Sequence, residues 1–271
     1  AYDSGTIYLT LTGATHFEGT KEWLEPEGFD ITVRPEVAFH LYRYREGQDV
    51  TSAAPVWMPD ESGTEKPVII TLTDDQAGED IVAISYGQEI VEGELSDLLP
   101  KYDSEGYEYI YVVREIMSGG SQSYEQVFGR VDEDGNVEDT LHEKADTENG
   151  ARKAGDTFLY SGGTLSNRVS ASTTQQAAKV WNAAAFQAEF DDVSVELTLY
   201  CREKDSSDDW AVALDTSGKE VIRTLEGFTA ENLAGTSLEV SVPVYGPRGE
   251  TLEYEWRETA VIQGTNHQEI G

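Results

Sequence analysis

The sequence predicts an all-β protein made of tandem antiparallel β-sandwich domains, and three observations support that class. Short stretches of alternating polar and apolar residues recur along the chain, which is typical of strands with one buried face. Polar, turn-rich segments separate these stretches, among them EPEGFD, PDESGTEKP, DEDGNVED and REKDSSDD. Blocks of sequence also recur in a fixed order. Helical periodicity is scarce, and its best candidate runs from Ile81 to Leu99.

The composition limits the possible partners. A chain of 271 residues with 38% apolar and 10% aromatic residues can build one large or two ordinary domains with real cores. Its formal net charge of −33 opposes binding to nucleic acid or to anionic lipid, since both require a basic surface. No apolar run is long enough to insert into a membrane, and the opening AYDSG lacks the segments of a signal peptide. We expect a monomer kept soluble by charge repulsion.

The recurring blocks define the domains. Residues 2–23 align without a gap on residues 160–181, and the two stretches share Tyr, Gly-Thr and Lys-x-Trp. Further on, VAFHLYRYRE resembles VSVELTLYCRE, and GYEYIYVVREI resembles TLEYEWRETAV. The sequence therefore predicts a terminal strand of a preceding repeat at 1–12, a first domain at 13–170, and a second at 171–271 that stops before its last strand.

The first strand of the first domain carries an inward lysine. In THFEGTKEWL, Lys21 shares its parity with Phe17 and Trp23, and alternate residues of a strand point to the same face. A lysine is almost never fully buried without a partner. The second domain repeats the pattern at Lys179 and Trp181.

Two further polar residues occupy apolar positions in the first domain. Glu115 shares a face with the apolar side chains of its strand, Tyr107, Tyr109, Tyr111, Val113 and Met117. Asn167 lies on the parity of Leu165, Val169 and Ala171 in TLSNRVSA. Polar residues at core positions of a strand indicate a function or an error of patterning.

If the three side chains meet, burial disfavours their charged forms. A neutral Lys21 amine is a nucleophile, and a protonated Glu115 carboxyl can polarise the Asn167 amide and shuttle protons. The product is a Lys–Asn isopeptide bond, formed once per molecule without a cofactor and with release of ammonia. The structural alternative is a buried Lys21–Glu115 pair that holds the core in register, with Asn167 bonded in a turn.

These blocks, taken in order, resemble the B-type repeat domains of collagen-adhesin-like surface proteins of Gram-positive bacteria. The likeness covers the Lys-x-Trp strand, the VxLYR-like strand, the Tyr-rich strand ending in Glu and the Leu-x-Asn strand. It implies a Greek-key sandwich with an intramolecular bond between Lys21 and Asn167, promoted by Glu115. It also implies an extracellular segment, anchored to the cell wall through parts of the protein outside this sequence.

The resemblance extends to the second domain with one departure. There Lys179 takes the place of the amine and Glu258 that of the promoting acid, inward with Tyr254 and Trp256. No asparagine matches Asn167, because Asn266 follows Glu258 too closely. We therefore predict that Lys179 is not crosslinked.

Other sites are disfavoured. The stretch DEDGNVEDTLHE at 132–143 has carboxylates at calcium-loop spacing, but Val137 replaces the required glycine and a hairpin turn is the better interpretation. The four histidines lack ligand spacing, so no metal site is predicted. A single cysteine, Cys201, excludes an internal disulfide, and its parity predicts a buried, inert thiol.

The functional prediction is a non-enzymatic spacer whose partners are neighbouring repeats of the same chain. One alternative is an adhesin domain that binds a host protein or glycan through loops at 46–66 or 118–158, with Trp57 or Trp210 as a stacking platform. Another is a secreted carbohydrate-active enzyme, which requires two facing carboxylates in a cleft. A weaker hypothesis has strand 1–12 adding to the second domain of another copy.

Overall fold

The computed structural model describes residues 11–60, 62–87, 98–128, 130–132, 137–138, 151–152, 159–181, 193–229, 233–263 and 268–269. The chain divides into two compact units, Ala1–Val169 and Ser170–Gly271. The division lies one residue before the boundary that the repeats predict. Most of the predicted strand at 1–12 lies outside the described residues.

Strands dominate both units. The strands of the first unit are β1 (Ala14–Thr15), β2 (Phe17–Leu24), β3 (Glu36–Arg45), β4 (Ala54–Pro55), β5 (Trp57–Pro59), β6 (Glu65–Pro67), β7 (Ile69–Thr71), β8 (Ile81–Tyr86), β9 (Leu99–Pro100), β10 (Tyr109–Ser118), β11 (Ser123–Phe128), β12 (Arg130–Val131), β13 (Val137–Glu138), β14 (Ala151–Arg152) and β15 (Thr164–Ser170). Among the described residues the helical elements are short: two 3-10 turns at Ile31–Val33 and Val50–Ser52, and α1 at Asp74–Ala77.

Two sheets form a sandwich in the first unit. One sheet has the order β14-β11-β15-β2-β8, and the other contains β10 and β3, with β4 and β7 both pairing with β3. The chain crosses between the sheets from β2 to β3 and from β7 to β8, as in Greek-key sandwiches. The all-β sandwich class predicted from the sequence is confirmed. A decisive detail is that β2 and β15, the first and last strands of this sandwich, are parallel neighbours.

Alternation explains the core between these sheets. In β3, Val37, Phe39 and Leu41 are buried, while the residues between them are only partly buried. Strand β10 pairs antiparallel with β3 over its whole length and adds the buried Val113 to this core. Each side chain enters the core because its parity selects one face of the pleated sheet.

The second unit repeats the same plan with fewer strands. Its strands are β16 (Ser172–Ala178), β17 (Val193–Glu203), β18 (Ala211–Val212), β19 (Ile222–Leu225), β20 (Ser237–Pro243), β21 (Leu252–Gln263) and β22 (Gln268–Glu269). Strands β16 and β20 form one antiparallel pair, and β17 lies among β18, β19 and β21 in the other sheet. The core includes Val195, Leu199 and Val242. Cys201 packs beside it but is half-buried rather than fully buried, and burial raises the pKa of its thiol.

Two sequence expectations about local structure are wrong. The segment predicted as the best helix begins with strand β8, because Val82 and Ile84 alternate with exposed neighbours and pack into the core. Tyr107 was expected to face inward with Glu115, but it precedes β10 and is 54% exposed. In the part of the chain that the structure describes, no helix has the length and apolar character needed to cross a membrane.

Candidate functional site

Strand β2 places Lys21 in the core of the first unit. The strand is flanked by β8 on one side and by β15 on the other, so it lies in the interior of its sheet and not at an edge. Lys21 is completely buried, between the buried Phe17 and Trp23 on the same face, as their shared parity predicts. Its Nζ donates a hydrogen bond to the backbone oxygen of Glu22 at 2.7 Å and lies 3.9 Å from the centroid of the Trp23 ring.

Strand β10 brings Glu115 to the lysine from the opposite sheet. In the antiparallel register Glu115 stands opposite Phe39 of β3, whose side chain is fully buried. The Glu115 side chain is also fully buried, and its Oε1 lies 3.9 Å from Lys21 Nζ. The two groups are therefore within ion-pair distance but share no direct hydrogen bond.

Strand β15 brings Asn167 to the same carboxyl. Its parallel pairing with β2 sets Leu165 opposite Lys21 and Asn167 opposite Trp23. Asn167 is fully buried, and its Nδ2 donates to Glu115 Oε1 at 3.0 Å and to Met117 Sδ at 3.3 Å. Its Oδ1 is buried without a hydrogen-bond partner among the described residues. One oxygen, Glu115 Oε1, thus contacts the amide and faces the amine.

Burial moves the pKa values of the amine and the acid in opposite directions. Desolvation lowers the pKa of Lys21 to about 8, helped by the nearby Arg34 guanidinium and opposed by Glu115. Desolvation raises the pKa of Glu115, and the charge of Lys21 only partly offsets it. Both shifts favour the uncharged forms, a free amine and a carboxylic acid.

An ion-pair cluster closes the site behind Trp23. The Arg34 guanidinium lies 5.2 Å from the centroid of the Trp23 ring. It is held by Glu25, through Nε at 2.9 Å, and by Asp80, through Nη2 at 2.5 Å. Tyr124 packs edge-on against the same indole and donates to Glu25. These contacts fix the ring against which the lysine amine rests.

The sequence did not single out Gln126 or Arg34. Gln126 Nε2 donates to Glu115 Oε2 at 2.5 Å, on the side of the carboxyl away from Asn167. In SYEQVF it shares parity with the buried Tyr124, which was the available signal. The signal is obscured because Val127, on the opposite parity, is also buried. Arg34 comes from a turn segment, where alternation gives no information.

The second unit keeps the lysine and the glutamate but leaves them exposed to water. Lys179 Nζ donates to Glu258 Oε2 at 2.6 Å and lies 4.5 Å from the Trp181 ring centroid. Glu258, predicted to point inward, does contact Lys179, but the two charged side chains are 27% and 38% exposed, so the site is not buried. They are exposed because β16 pairs only with β20 in the described part of the unit. No described strand lies beside β16 in the way that β15 lies beside β2 in the first unit. Asn266 lies outside the described residues.

No cluster of three or more metal-ligating side chains occurs among the described residues. Most of the stretch at 132–143 lies outside them.

Comparison with known proteins gives little further information. No protein-family model and no curated protein sequence matches the chain. Among solved structures, it is similar to two B repeat units (B1B2) of the collagen-binding protein of Staphylococcus aureus, with 15% sequence identity over 91% of this chain and 69% of that chain. The TM-score of 0.22 is too low for this likeness to carry an argument. The functional interpretation rests instead on the geometry of Lys21, Glu115 and Asn167.

Proposed function

We propose that the first unit forms an intramolecular isopeptide bond between Lys21 and Asn167 and that the segment is a spacer of a bacterial cell-surface protein. One observation carries the proposal: a buried carboxyl oxygen, Glu115 Oε1, lies 3.0 Å from the Asn167 amide nitrogen and 3.9 Å from the Lys21 amine. A structural ion pair requires only the lysine and the glutamate. The third residue, Asn167, is a fully buried carboxamide on the strand next to the lysine, and it supplies the carbonyl carbon that an amine can attack.

The reaction begins with a neutral amine and a protonated acid. The Lys21 Nζ lone pair attacks Asn167 Cγ, and Oδ1 takes the proton of Glu115 as the carbonyl π bond opens. The Glu115 carboxylate then takes one proton from Nζ and passes it to Nδ2. As the carbonyl re-forms, the Cγ–Nδ2 bond breaks, ammonia leaves, and the Oδ1 proton returns to Glu115. One C–N bond forms, one breaks, and the acid is regenerated.

The orientation of the amide follows the protonation of the acid. An ionised Glu115 only accepts hydrogen bonds, so Asn167 presents its Nδ2 to Oε1 and leaves Oδ1 without a partner. A protonated Oε1 needs an acceptor. A half-turn of the amide about Cβ–Cγ then places Oδ1 at Oε1, satisfies the orphaned oxygen and polarises the carbonyl. The acid form that burial favours is therefore also the form that prepares the amide for attack.

The fold supplies proximity. Strand pairing holds Lys21 and Asn167 in fixed register, and both side chains are fully buried. Holding reactants in an attack geometry can contribute effective molarities of about 10⁵–10⁸ M. A single-turnover reaction at this site therefore needs no cofactor.

The strand order gives such a bond a mechanical role. Because β2 and β15 are parallel, tension applied to the two ends of the first unit pulls these neighbouring strands in opposite directions along their length. A Lys21–Asn167 bond joins them directly, so the force bypasses the residues between. This property suits an extracellular stalk of neighbouring repeats, anchored to the cell wall through other parts of the protein.

Intact-protein mass spectrometry tests the bond. We expect the folded protein to weigh one ammonia less than its calculated mass, and Lys21→Ala, Asn167→Ala and Glu115→Ala each to restore the full mass. Tandem spectra of a digest should then show Lys21 and Asn167 in one branched peptide. Lys179→Ala is the matched control and should retain the deficit. A full calculated mass in folded wild-type protein would leave only the structural ion pair.

Single-molecule pulling tests the spacer role separately. With handles at both ends of the chain, we expect extension from the second unit but none from the residues between Lys21 and Asn167. The Asn167→Ala variant should add the extension of that long segment. If the wild type unfolds both units completely, the first unit cannot bear load in the proposed way.

A ligand-binding adhesin domain is the second candidate, and one observation favours it. Trp57 is 51% exposed on β5, within the loop region at 46–66 that the sequence proposes as a binding surface. An exposed indole is a suitable platform for a sugar ring or an apolar side chain. Saturable binding to a host matrix protein or glycan that Trp57→Ala abolishes would support this function.

A further inference from the structure

We infer that Gln126 is a positioning residue for bond formation, which keeps the proton of Glu115 on the carboxyl oxygen that faces the two reactants. The inference rests on the proposed crosslinking reaction and concerns a residue outside the Lys21, Glu115 and Asn167 set. Its basis is the division of contacts between the two oxygens of Glu115. Gln126 Nε2 donates to Oε2 at 2.5 Å, whereas Asn167 and Lys21 lie at Oε1.

A neutral carboxylic acid has one hydroxyl oxygen and one carbonyl oxygen. The carbonyl oxygen is the acceptor for an N–H donor, and a hydroxyl proton pointing at an N–H group would place two donors face to face. Because Gln126 donates to Oε2, the proton belongs on Oε1 once the Asn167 amide has turned its Oδ1 toward that oxygen. That is the oxygen from which it can reach Asn167 Oδ1. Without Gln126 the proton can reside on either oxygen, and the carboxyl can rotate away from the amide.

The same hydrogen bond affects the pKa of Glu115. A donor to a carboxylate favours the ionised form, so Gln126 opposes the rise that burial gives to the pKa of Glu115. Glu115 is otherwise faced by Lys21 from β2, by Asn167 from β15 and by Tyr160, whose pKa is raised by burial and by the Glu115 charge.

The amine has its own charged neighbours. Glu22 and Glu25 favour the charged form of Lys21, and Arg34 disfavours it. None of these contacts involves Gln126. A change at Gln126 therefore acts on the acid and leaves the surroundings of the amine intact.

The test measures bond formation as a function of pH in the full chain. Protein collected unfolded in urea from inclusion bodies is refolded by dilution at a series of pH values, and intact masses follow the loss of ammonia over time. Gln126→Met keeps the length of the side chain but removes the donor. Gln176→Met is the matched control, because Gln176 makes the same kind of bond to Glu239, at 2.7 Å, on the exposed surface of the second unit.

We expect Gln126→Met to form the bond roughly tenfold more slowly, a part of the ~10²–10⁴-fold that a positioned proton donor contributes. The alkaline limb of its pH–rate profile should move up by roughly one pH unit, because Glu115 loses a hydrogen bond that favours its ionised form. Gln176→Met should match the wild type in both respects. A merely structural role for Gln126 would not move the pH limb.

A second variant covers the case in which Gln126→Met does not fold. Gln126→Glu keeps the shape of the side chain, cannot donate when ionised, and repels the Glu115 carboxylate. It should also slow the reaction and move the alkaline limb upward.

Two results would overturn the inference while leaving the crosslink in place. One is that wild type and folded Gln126 variants share the same rate and pH profile. The other is that the variants react faster, which would mean that Gln126 turns its carbonyl to Oε2 and holds the proton away from the reactants. If the wild type itself never loses ammonia, the proposed function fails first, and this inference fails with it.

Discussion

Lys21 and Lys179 stand in the same sequence motif but in opposite environments. Each lies two residues before a tryptophan whose ring it contacts, and each faces a glutamate, from β10 in the first unit and from β21 in the second. The side chains of the first pair are 0% exposed, whereas those of Lys179 and Glu258 are 27% and 38% exposed. The buried pair is nonetheless the longer one, at 3.9 Å against 2.6 Å.

The comparison shows that the closeness of an ion pair does not indicate how far its two groups are removed from water. Water supports both charges in the second unit, so an ordinary short salt bridge forms there. In the first unit β15 pairs with β2 along its edge and helps to keep water out of the site. The resulting desolvation favours the neutral forms of Lys21 and Glu115. The same strand carries Asn167, so one element both shields the amine from water and brings in the carboxamide that we propose as its target.

The largest difference between the two sites should appear when each lysine is removed. Lys21→Met should abolish the ammonia deficit and lower the free energy of unfolding of the first unit by about 4–5 kcal/mol, the chain-entropy value for a very long closed loop. Urea denaturation followed by tryptophan fluorescence measures this change. A loss below about 1 kcal/mol would mean that the bond is absent from the wild type or does not constrain the unfolded chain.

Removing the acid should affect the reaction more than the fold. Glu115→Gln retains the size of the side chain and the acceptor for Gln126, but it has no proton to give. We expect bond formation after refolding to slow by about 10²–10⁴-fold, measured by the time course of ammonia loss. Glu258→Gln, the corresponding change in the second unit, should leave the time course unaltered. Equal rates in Glu115→Gln and wild type would exclude acid catalysis by Glu115.

The uncrosslinked first unit should show a characteristic pH dependence. In Asn167→Ala, the lowered pKa of Lys21 means that the unfolded chain binds more protons between about pH 8 and 10.5, so stability should rise with pH by about 3 kcal/mol across that window. The raised pKa of Glu115 has the opposite sign, and stability should fall as pH rises from 4.5 to its folded value.

Urea midpoints across this pH range would reveal the two opposing slopes, a fall above pH 4.5 and a rise between about pH 8 and 10.5. The further change Lys21→Met in the same background should remove the alkaline rise. A rise that persists without Lys21 would assign it to another group.

The smallest effect is expected in the second unit. Lys179→Met removes one partner of a water-exposed salt bridge, and such pairs contribute about 0–1 kcal/mol. The measurement is the urea midpoint of the second unit, with the mass of the protein as a control that its ammonia deficit is unchanged. A loss of several kcal/mol would show that Lys179 is constrained as Lys21 is, and the contrast between the two units would disappear.

Much of the first site is predictable from the sequence because strand alternation is a local property. Parity alone places Lys21, Glu115 and Asn167 on inward faces. The structure brings the lysine amine and the asparagine amide to one carboxyl oxygen of the glutamate. For Glu258 parity does not predict the exposure, since alternation determines which face a side chain takes but not whether that face is covered.

The sequence by itself determined the all-β class, the repeated Lys-x-Trp motif and the inward parity of the three site residues. Only the tertiary structure decided that Lys21 loses its water and that Lys179 keeps it, because desolvation depends on β15 lying against β2. It also decided the place of Gln126 at Oε2 and of Arg34 behind Trp23. Those contacts join residues from separate strands and turns, and no local pattern encodes which distant side chains will share one buried carboxyl or one ring.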